Sequence, residues 1–464
     1  MIPLLRPTAR LRSRRLTSTA WRALQTTFMG SVARYCGVMA VPAALRVKAF
    51  RRFWLGSLAS NAGSWLQVVG AGWLIYDLTE SPAAVGALAL VARGPAFLLS
   101  GYAGQFADRF DRRAVGIVTF TIQAVGAGGL AVLAAFDAAT PVVIYAATFV
   151  VGVGFALGLP AMLALVGVLA GRDKLPEAIA LNAAGINVAR LAGPALGGVV
   201  LAVAGPAACF AVNAASFVVL IVVLVGLPTF PPVTPGTRAP MSEALRHVIG
   251  DPAARRLLVG MAMFAALAAP AQELAPVVAA RLDVREMGLG LLLGMMGAGA
   301  LVGAWLLERL GRIGYPRHHA LPTATVAFAA AMGVLAVTRW FWLALIAMLI
   351  GGIFWIWMFI ATNAAIQLAS PPQLLGRMLG LYQLAVLAPI AVGAQAAGGL
   401  AEGVGLRWSL GACSVVLGIW GLWSLTHQVP AIDGIAHAPG GGIREGLLAR
   451  HHRTVPENRA QSGR

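Results

Sequence analysis

The sequence predicts an all-α integral membrane protein, with twelve transmembrane helices arranged as two pseudo-symmetric six-helix bundles. Three observations carry this: a very apolar composition, apolar runs of membrane-spanning length, and a weak repeat between the two halves. Hydrophobic residues make up 59% of the 464 and charged residues 11%, against roughly 25% charged in ordinary soluble domains. A soluble globule could not cover itself with so few charges. Apolar runs of about 20 residues, the length that crosses a hydrocarbon core, recur from Phe53 to Thr426.

Charges, prolines and turn residues break the chain into twelve spans. They lie near 53–76, 84–107, 114–136, 141–169, 178–204, 207–227, 256–280, 287–307, 319–337, 340–369, 377–401 and 406–426. The expected organisation is a basic, disordered tail over 1–48, a first bundle over 49–227, a cytoplasmic linker over 228–254, a second bundle over 255–426 and a cytoplasmic tail over 427–464. The linker contains the Pro-rich stretch "PTFPPVTPGTRAP" (228–240). The tail over 1–48 holds nine basic residues and no acid, and Met39 is a natural alternative start. No secretory signal pattern precedes Phe53.

The net charge of +18 would suggest a nucleic-acid partner in a soluble chain, but here the placement of the bases decides. Of 35 Lys and Arg, 29 fall in the two tails and the loops after the even-numbered spans, and four (Arg281, Arg285, Arg339 and Arg407) fall in the opposite loops. Cytoplasmic segments are enriched in Lys and Arg, so both termini are expected in the cytoplasm. The partners expected are the bilayer and a small molecule, not nucleic acid.

The halves resemble each other at an offset of 200. "LNAAGINVARLAGPALGGVVLAVAG" (181–205) lies over "LYQLAVLAPIAVGAQAAGGLAEGVG" (381–405), matching Leu181, Gly198 and Gly205 with Leu381, Gly398 and Gly405. Such six-plus-six repeats build many secondary transporters. Cys36, Cys209 and Cys413 are scattered, all seven His lie in loops or tails, and no nucleotide-binding loop is present. No metal or cofactor is expected.

One stretch breaks the apolar pattern. "GQFADRFDRR" (104–113) puts Asp108, Arg109, Asp111, Arg112 and Arg113 into the loop after span 2. It resembles the major facilitator superfamily signature Gly-x-x-x-Asp-Arg/Lys-x-Gly-Arg-Arg/Lys, with Gly104, Asp108, Arg109, Arg112 and Arg113 in place and Asp111 where the signature has Gly. "FRRFWLGSLASNAGSW", "LPEAIALNAAGINVARLAGPALGG", "AGPAACFAVNAASF" and "GRMLGLYQLAVLAPIAVGA" resemble the subgroup of siderophore and macrolide exporters called transmembrane secretion effectors. The resemblance spans about Phe50 to Thr426. It implies that the loop latches the cytoplasmic side when the halves close there, with span 11 as its partner and Arg377 close by; enforcing topology is the simpler role. Gly193, Pro194, Gly197 and Gly198 resemble the end of the antiporter motif, although Ala189 replaces a Gly of its longer form and generic small-residue packing is the alternative. Span 4 lacks the Arg of the drug-antiporter branch.

Charges within spans are costly, at least ~2.5 kcal/mol at mid-bilayer on insertion scales, and usually face a cavity. Arg93, Arg190 and Glu273 are the candidates for ion coupling. Glu273 is either a group that takes up and releases a proton in each cycle or a structural partner of Arg190 or Arg93. Asn61, Trp65 and Gln67 on span 1 and Trp355, Trp357 and Asn363 on span 10 are candidates to line a substrate cavity; interfacial aromatic belts and interhelical hydrogen bonds also use such residues.

The resemblance implies no enzyme but a secondary active transporter: a monomer in the bacterial cytoplasmic membrane, coupled to protons, exporting a small amphipathic molecule such as a siderophore, macrolide or other drug. The alternatives are an uncoupled facilitator or importer of a metabolite, and a non-transporting receptor or assembly protein.

Overall fold

The computed structural model describes residues 42–230, 241–312, 317–371 and 373–426; the rest of both tails and of the Pro-rich linker, and the side chain of Asp108, lie outside the described residues. Every regular element among them is helical. After a short 3₁₀ turn (Ala43–Arg46) come α1 (Lys48–Thr79), α2 (Pro82–Arg109), α3 (Arg112–Ala135), α4 (Pro141–Ala170) and α5 (Leu175–Val225). Then follow α6 (Met241–Gly250), α7 (Pro252–Ala268), α8 (Pro270–Glu273), α9 (Ala275–Arg281), α10 (Glu286–Arg312), α11 (Arg317–Val337), α12 (Phe341–Ala369), α13 (Leu375–Val404) and α14 (Leu406–Thr426). Among the described residues, ten helices are long and apolar enough to cross a membrane.

Several helices begin in the same way. Ser81, Thr140 and Asp251 each accept a backbone N–H from the first turn, and each precedes a proline, at Pro82, Pro141 and Pro252. The capping oxygen satisfies an orphan donor, and proline at the first position needs none. Sharp starts of this kind keep the connections short.

The break expected between spans 5 and 6 is a turn at Gly205 (φ 75°, ψ 179°), which parts α5 into arms 175–204 and 206–225. Only glycine takes that conformation freely, and Pro206 starts the second arm. Span 7 is divided into α7, α8 and α9, where Pro270 and Pro276 each remove a backbone donor and interrupt the ladder. The linker carries an unexpected helix, α6, which buries Ala244 and Val248 and leaves Leu245 and Ile249 exposed.

The repeat is also present in the packing. In the first group, α1 lies against α5, α2 against α4, and α3 against α4 and α5; in the second, α7 lies against α13, α10 against α12, and α11 against α12 and α14. Gly405 (φ 89°, ψ 151°) ends α13 as Gly205 ends the first arm of α5. Four residues after each glycine a side chain turns back to a carbonyl of the preceding helix: Cys209 Sγ to Gly197 O at 3.7 Å, and Ser409 Oγ to Ala397 O at 2.6 Å. The two groups meet along α2 with α13 and α5 with α10. Outward faces carry Val118, Val125, Val142 and Val222, all more than half exposed, which suits hydrocarbon rather than water.

Candidate functional site

A cavity of about 190 Å³ lies between the two helix groups. Trp65, Gln67, Arg93, Gln123, Thr148 and Asn213 line it from the first group, and Gln272, Glu273 and Leu293 from the second. A smaller hollow of about 20 Å³ shares Trp65, Gln272 and Leu293 with it and adds Arg190, Pro194, Met296 and Trp355. Both are mainly apolar, with a few convergent polar groups, as small-molecule sites commonly are.

Across the cavity wall, Arg93 of α2 grips Glu273 of α8 with two hydrogen bonds, Nη2 to Oε1 at 2.6 Å and Nη1 to Oε2 at 3.1 Å. Glu273 is 10% exposed and Arg93 23%. This fork-on-fork geometry is the strongest form of an Arg–carboxylate pair. It is the one ion pair among the described residues that joins the two groups. The break in the seventh span places the acid: Glu273 is the last residue of the single turn between Pro270 and Leu274, so it does not continue a straight helix face.

Arg190, on the first arm of α5, makes no ion pair or hydrogen bond with the described residues. The Arg93 guanidinium and the Tyr382 hydroxyl are close enough to act on it electrostatically. Pro194, four residues on, cannot donate to the Arg190 carbonyl, and Gly297 of α10 packs against that carbonyl instead.

Other polar groups on the wall are satisfied locally. Asn213 donates to Gln67 Oε1 and accepts from Ser216, and Gln123 donates to Thr119 O at 3.2 Å. Thr148 Oγ1 is buried and unpartnered. Sequence reasoning missed Gln123, Thr148, Asn213 and Gln272; the signal available was a polar residue inside an otherwise apolar span.

The remaining candidates are distributed as follows. Asn61 donates to Ser57 O of its own helix at 2.7 Å. Trp65 lies against Gly193 and lines both hollows. Trp355 is 6% exposed and packs with Phe264, Phe328 and Phe359. Trp357 is turned toward α10, donating to Gly303 O at 2.7 Å. Asn363 accepts from Gln367 one turn later.

Gly198 belongs to the seam between the groups: a Cβ there would lie 2.5 Å from Gly290 Cα. Gly86 and Gly398 of the other seam meet the backbones of Ala394 and Pro82 as closely, and Glu402 accepts from Ser81 Oγ (2.7 Å) and Ala83 N (3.3 Å). Gly193 and Gly197 admit Trp65 and Val69 of α1, within the first group. The seam contacts cluster from the cavity toward the arginine-poor end of the molecule. There the groups are closed on each other.

At the other end, Asp111 and Arg113 of the charged loop bind within their own group. Asp111 caps α3 through Arg113 N (2.7 Å) and Ala114 N (3.1 Å), and its second oxygen accepts Phe230 N at 2.7 Å. Arg113 donates to Val225 O, at the end of α5, at 2.8 Å. Arg109 is exposed, Arg112 half-buried, and Arg377 lies in the first turn of α13 at the same end.

The profile of the transmembrane secretion effector family matches residues 40–454. The chain is 27% identical over 368 residues to the enterobactin exporter EntS of Citrobacter koseri, covering 76% of this chain and 85% of that one. It is 28% identical over 369 residues to EntS of Salmonella typhimurium, with the same coverage. Among solved structures it is similar to a bacterial homologue of the human lysosomal transporter Spinster in an inward-facing, unoccupied conformation (TM-score 0.65, 16% identity, 82% of this chain and 96% of that one). A POT family transporter in complex with 5-aminolevulinic acid gives TM-score 0.67 at 12% identity over 84% of this chain and 97% of that one; both likenesses speak to fold. A chain of apolar helices around a central cavity, matched along most of its length, belongs to the transmembrane secretion effector family of the major facilitator superfamily: it is a multi-pass membrane transporter and not an enzyme.

Proposed function

We propose that the protein exports a small amphipathic molecule across the bacterial cytoplasmic membrane by alternating access, driven by inward proton movement. The reading takes twelve crossings, counting the two arms of α5 separately and α7 to α9 as one broken span, with both termini in the cytoplasm. The six-plus-six packing repeat supports it, as do the relatives named as enterobactin exporters, which favour a siderophore-like cargo. With the arginine-rich end cytoplasmic, the closed end is the outer one, and the cavity belongs to an inward-facing state.

The observation that carries the reading is the Arg93–Glu273 pair. It ties α2 of one bundle to α8 of the other at the cavity wall, so its two conditions map onto two relations between the bundles. Ionised, Glu273 holds Arg93 by two charge-assisted bonds. Protonated, it loses the Coulombic attraction and one acceptor site, and the bundles are freer to part. A proton that enters from outside and leaves inside is then exchanged for cargo. Asp111 and Arg113 fix the inner end of α3 to the exit of α5, so that the first bundle rocks as a unit while Asp108 serves the inner latch.

The test is accumulation of dyes, macrolides and labelled siderophores, enterobactin included, in an efflux-deficient bacterium expressing wild type or Glu273→Gln, with and without a protonophore. Lower accumulation in wild type, abolished by the protonophore and by the substitution, is expected. If well-expressed wild type changes no member of the panel, export of this class is ruled out.

A further inference from the structure

Charge accounting around the cavity leaves a remainder. Among the described residues that line the two hollows, the ionised groups are Arg93, Arg190 and Glu273. Glu273 spends both oxygens on Arg93. Arg190 is left with no carboxylate among the described residues, and the ionisable groups that act on it are another cation and a phenol. An unpaired guanidinium inside a membrane protein is expensive and is normally retained for a ligand or an ion path.

Its surroundings narrow the ligand. Arg190 shares the smaller hollow with the indoles of Trp65 and Trp355, one from each helix group. Trp355 is held in place by its stack on Phe359 (5.2 Å between centroids, 25° between planes) and by Phe264 and Phe328. Trp65 is held against Gly193, where no side chain would leave it room. The smaller hollow has room for an acid group but not for a ring, while Trp65 also faces the 190 Å³ cavity; a flat ring that carries an acid suits the two together, the ring meeting the Trp65 indole and the acid taking the guanidinium bidentately. A neutral or cationic amphiphile would leave the guanidinium buried and unmatched.

We propose that Arg190 is the anion-binding residue of the cavity, and that the cargo is an aromatic organic anion with its acid on Arg190 in the smaller hollow and its ring beside Trp65 in the larger cavity. This rests on the transporter reading above and names the charge class of its cargo. It also separates the two basic residues: Arg93 belongs to the interbundle pair and Arg190 to the cargo. A different role for Arg190, replacing Arg93 as the partner of Glu273 in another state, would affect cargo of any charge equally.

The experiment uses three dansyl probes that differ in charge: dansylglycine (anionic), dansylglycine amide (neutral) and dansylcadaverine (cationic). Binding to the purified full-length chain in nanodiscs is read by dansyl fluorescence, for wild type, Arg190→Gln and Arg190→Lys. Wild type should bind dansylglycine about tenfold more tightly than its amide, the scale of one charge-assisted contact. Arg190→Gln should lose that preference, its affinity for dansylglycine falling about tenfold more than its affinity for the amide, and Arg190→Lys should keep part of it. Amide binding doubles as the folding control, and if Arg190→Gln does not fold, the wild-type charge series and Arg190→Lys still decide. Equal binding of the three probes, preference for the cation, absence of binding by all three, or an anion preference that survives in Arg190→Gln would each overturn the proposal. Transport of the same probes in proteoliposomes separates the two levels. A neutral probe carried without anion preference leaves the transporter reading standing and removes the anion site; a probe bound through Arg190 but never carried does the reverse.

Discussion

Gly198 and Gly398, 200 residues apart, occupy equivalent places on the two seams that close one end of the cavity. Gly198 of α5 touches Gly290 of α10, and Gly398 of α13 touches the backbone of Pro82 at the start of α2. Each is the point at which a helix of one group approaches the other without an intervening side chain.

A methyl group at either position has nowhere to go, because its neighbours are backbone rather than flexible side-chain ends. Gly198→Ala and Gly398→Ala should each cost about 1–3 kcal/mol in the closed arrangement and shift the population toward separation at that end. The check is maleimide labelling of Ser81→Cys in a chain whose three native cysteines are replaced by Ala. Labelling should rise severalfold in either glycine variant, and unchanged labelling would count against the seam.

Asp111 replaces the glycine of the superfamily signature, and its carboxylate does two jobs that glycine cannot. It caps α3 and receives Phe230 N from beyond α5. Asp111→Gly, which installs the signature residue, should lose the cap and the tether together. Replacing an N-cap Asp by Gly costs only a few tenths of a kcal/mol, so the readout is the tether: a freed Phe230 amide should exchange about tenfold faster. Hydrogen exchange resolved to the 226–230 peptide measures this; protection equal to wild type would show that the tether contributes nothing.

Arg281 ends α9 and closes the far end of α11 by donating to Leu335 O, Ala336 O and Thr338 O at 2.6, 2.8 and 3.3 Å. These carbonyls lie where a helix has no donors of its own, and a cation there also suits the negative end of the helix. Arg281→Ala should lower stability by about 1–3 kcal/mol, seen as a drop of a few degrees in the thermal unfolding of the detergent-solubilised protein. Lysine should recover part of it.

How much of this was readable in advance differs from element to element. Apolar length, and the charges, prolines and turn residues between the apolar runs, announced most helices, since these signals are local. Gly205 and Gly405 were visible as a repeat because an unusual backbone angle demands a particular residue. Arg93, Arg190 and Glu273 stood out because charge is rare in spans. What sequence left open was the pairing: Glu273 meets Arg93 rather than Arg190, a contact between residues 180 positions apart that only the packing of the helices decides. The break of the seventh span was hidden for a similar reason: Pro270 and Pro276 can kink a helix or divide it, and only the neighbouring helices decide. The amphipathic α6 was concealed by the Pro-rich segment before it, and Gln123, Thr148 and Asn213 by their apolar company.

The most direct test concerns the pair itself. Wild type and Glu273→Gln are reconstituted in proteoliposomes with whichever panel compound wild-type cells export, and its concentration against a gradient is followed under an imposed pH difference, alongside downhill exchange without one. The account predicts that Glu273→Gln retains downhill exchange and loses pH-driven concentration. If Glu273→Gln concentrates the compound as well as wild type does, the Arg93–Glu273 pair is structural and proton coupling does not run through it.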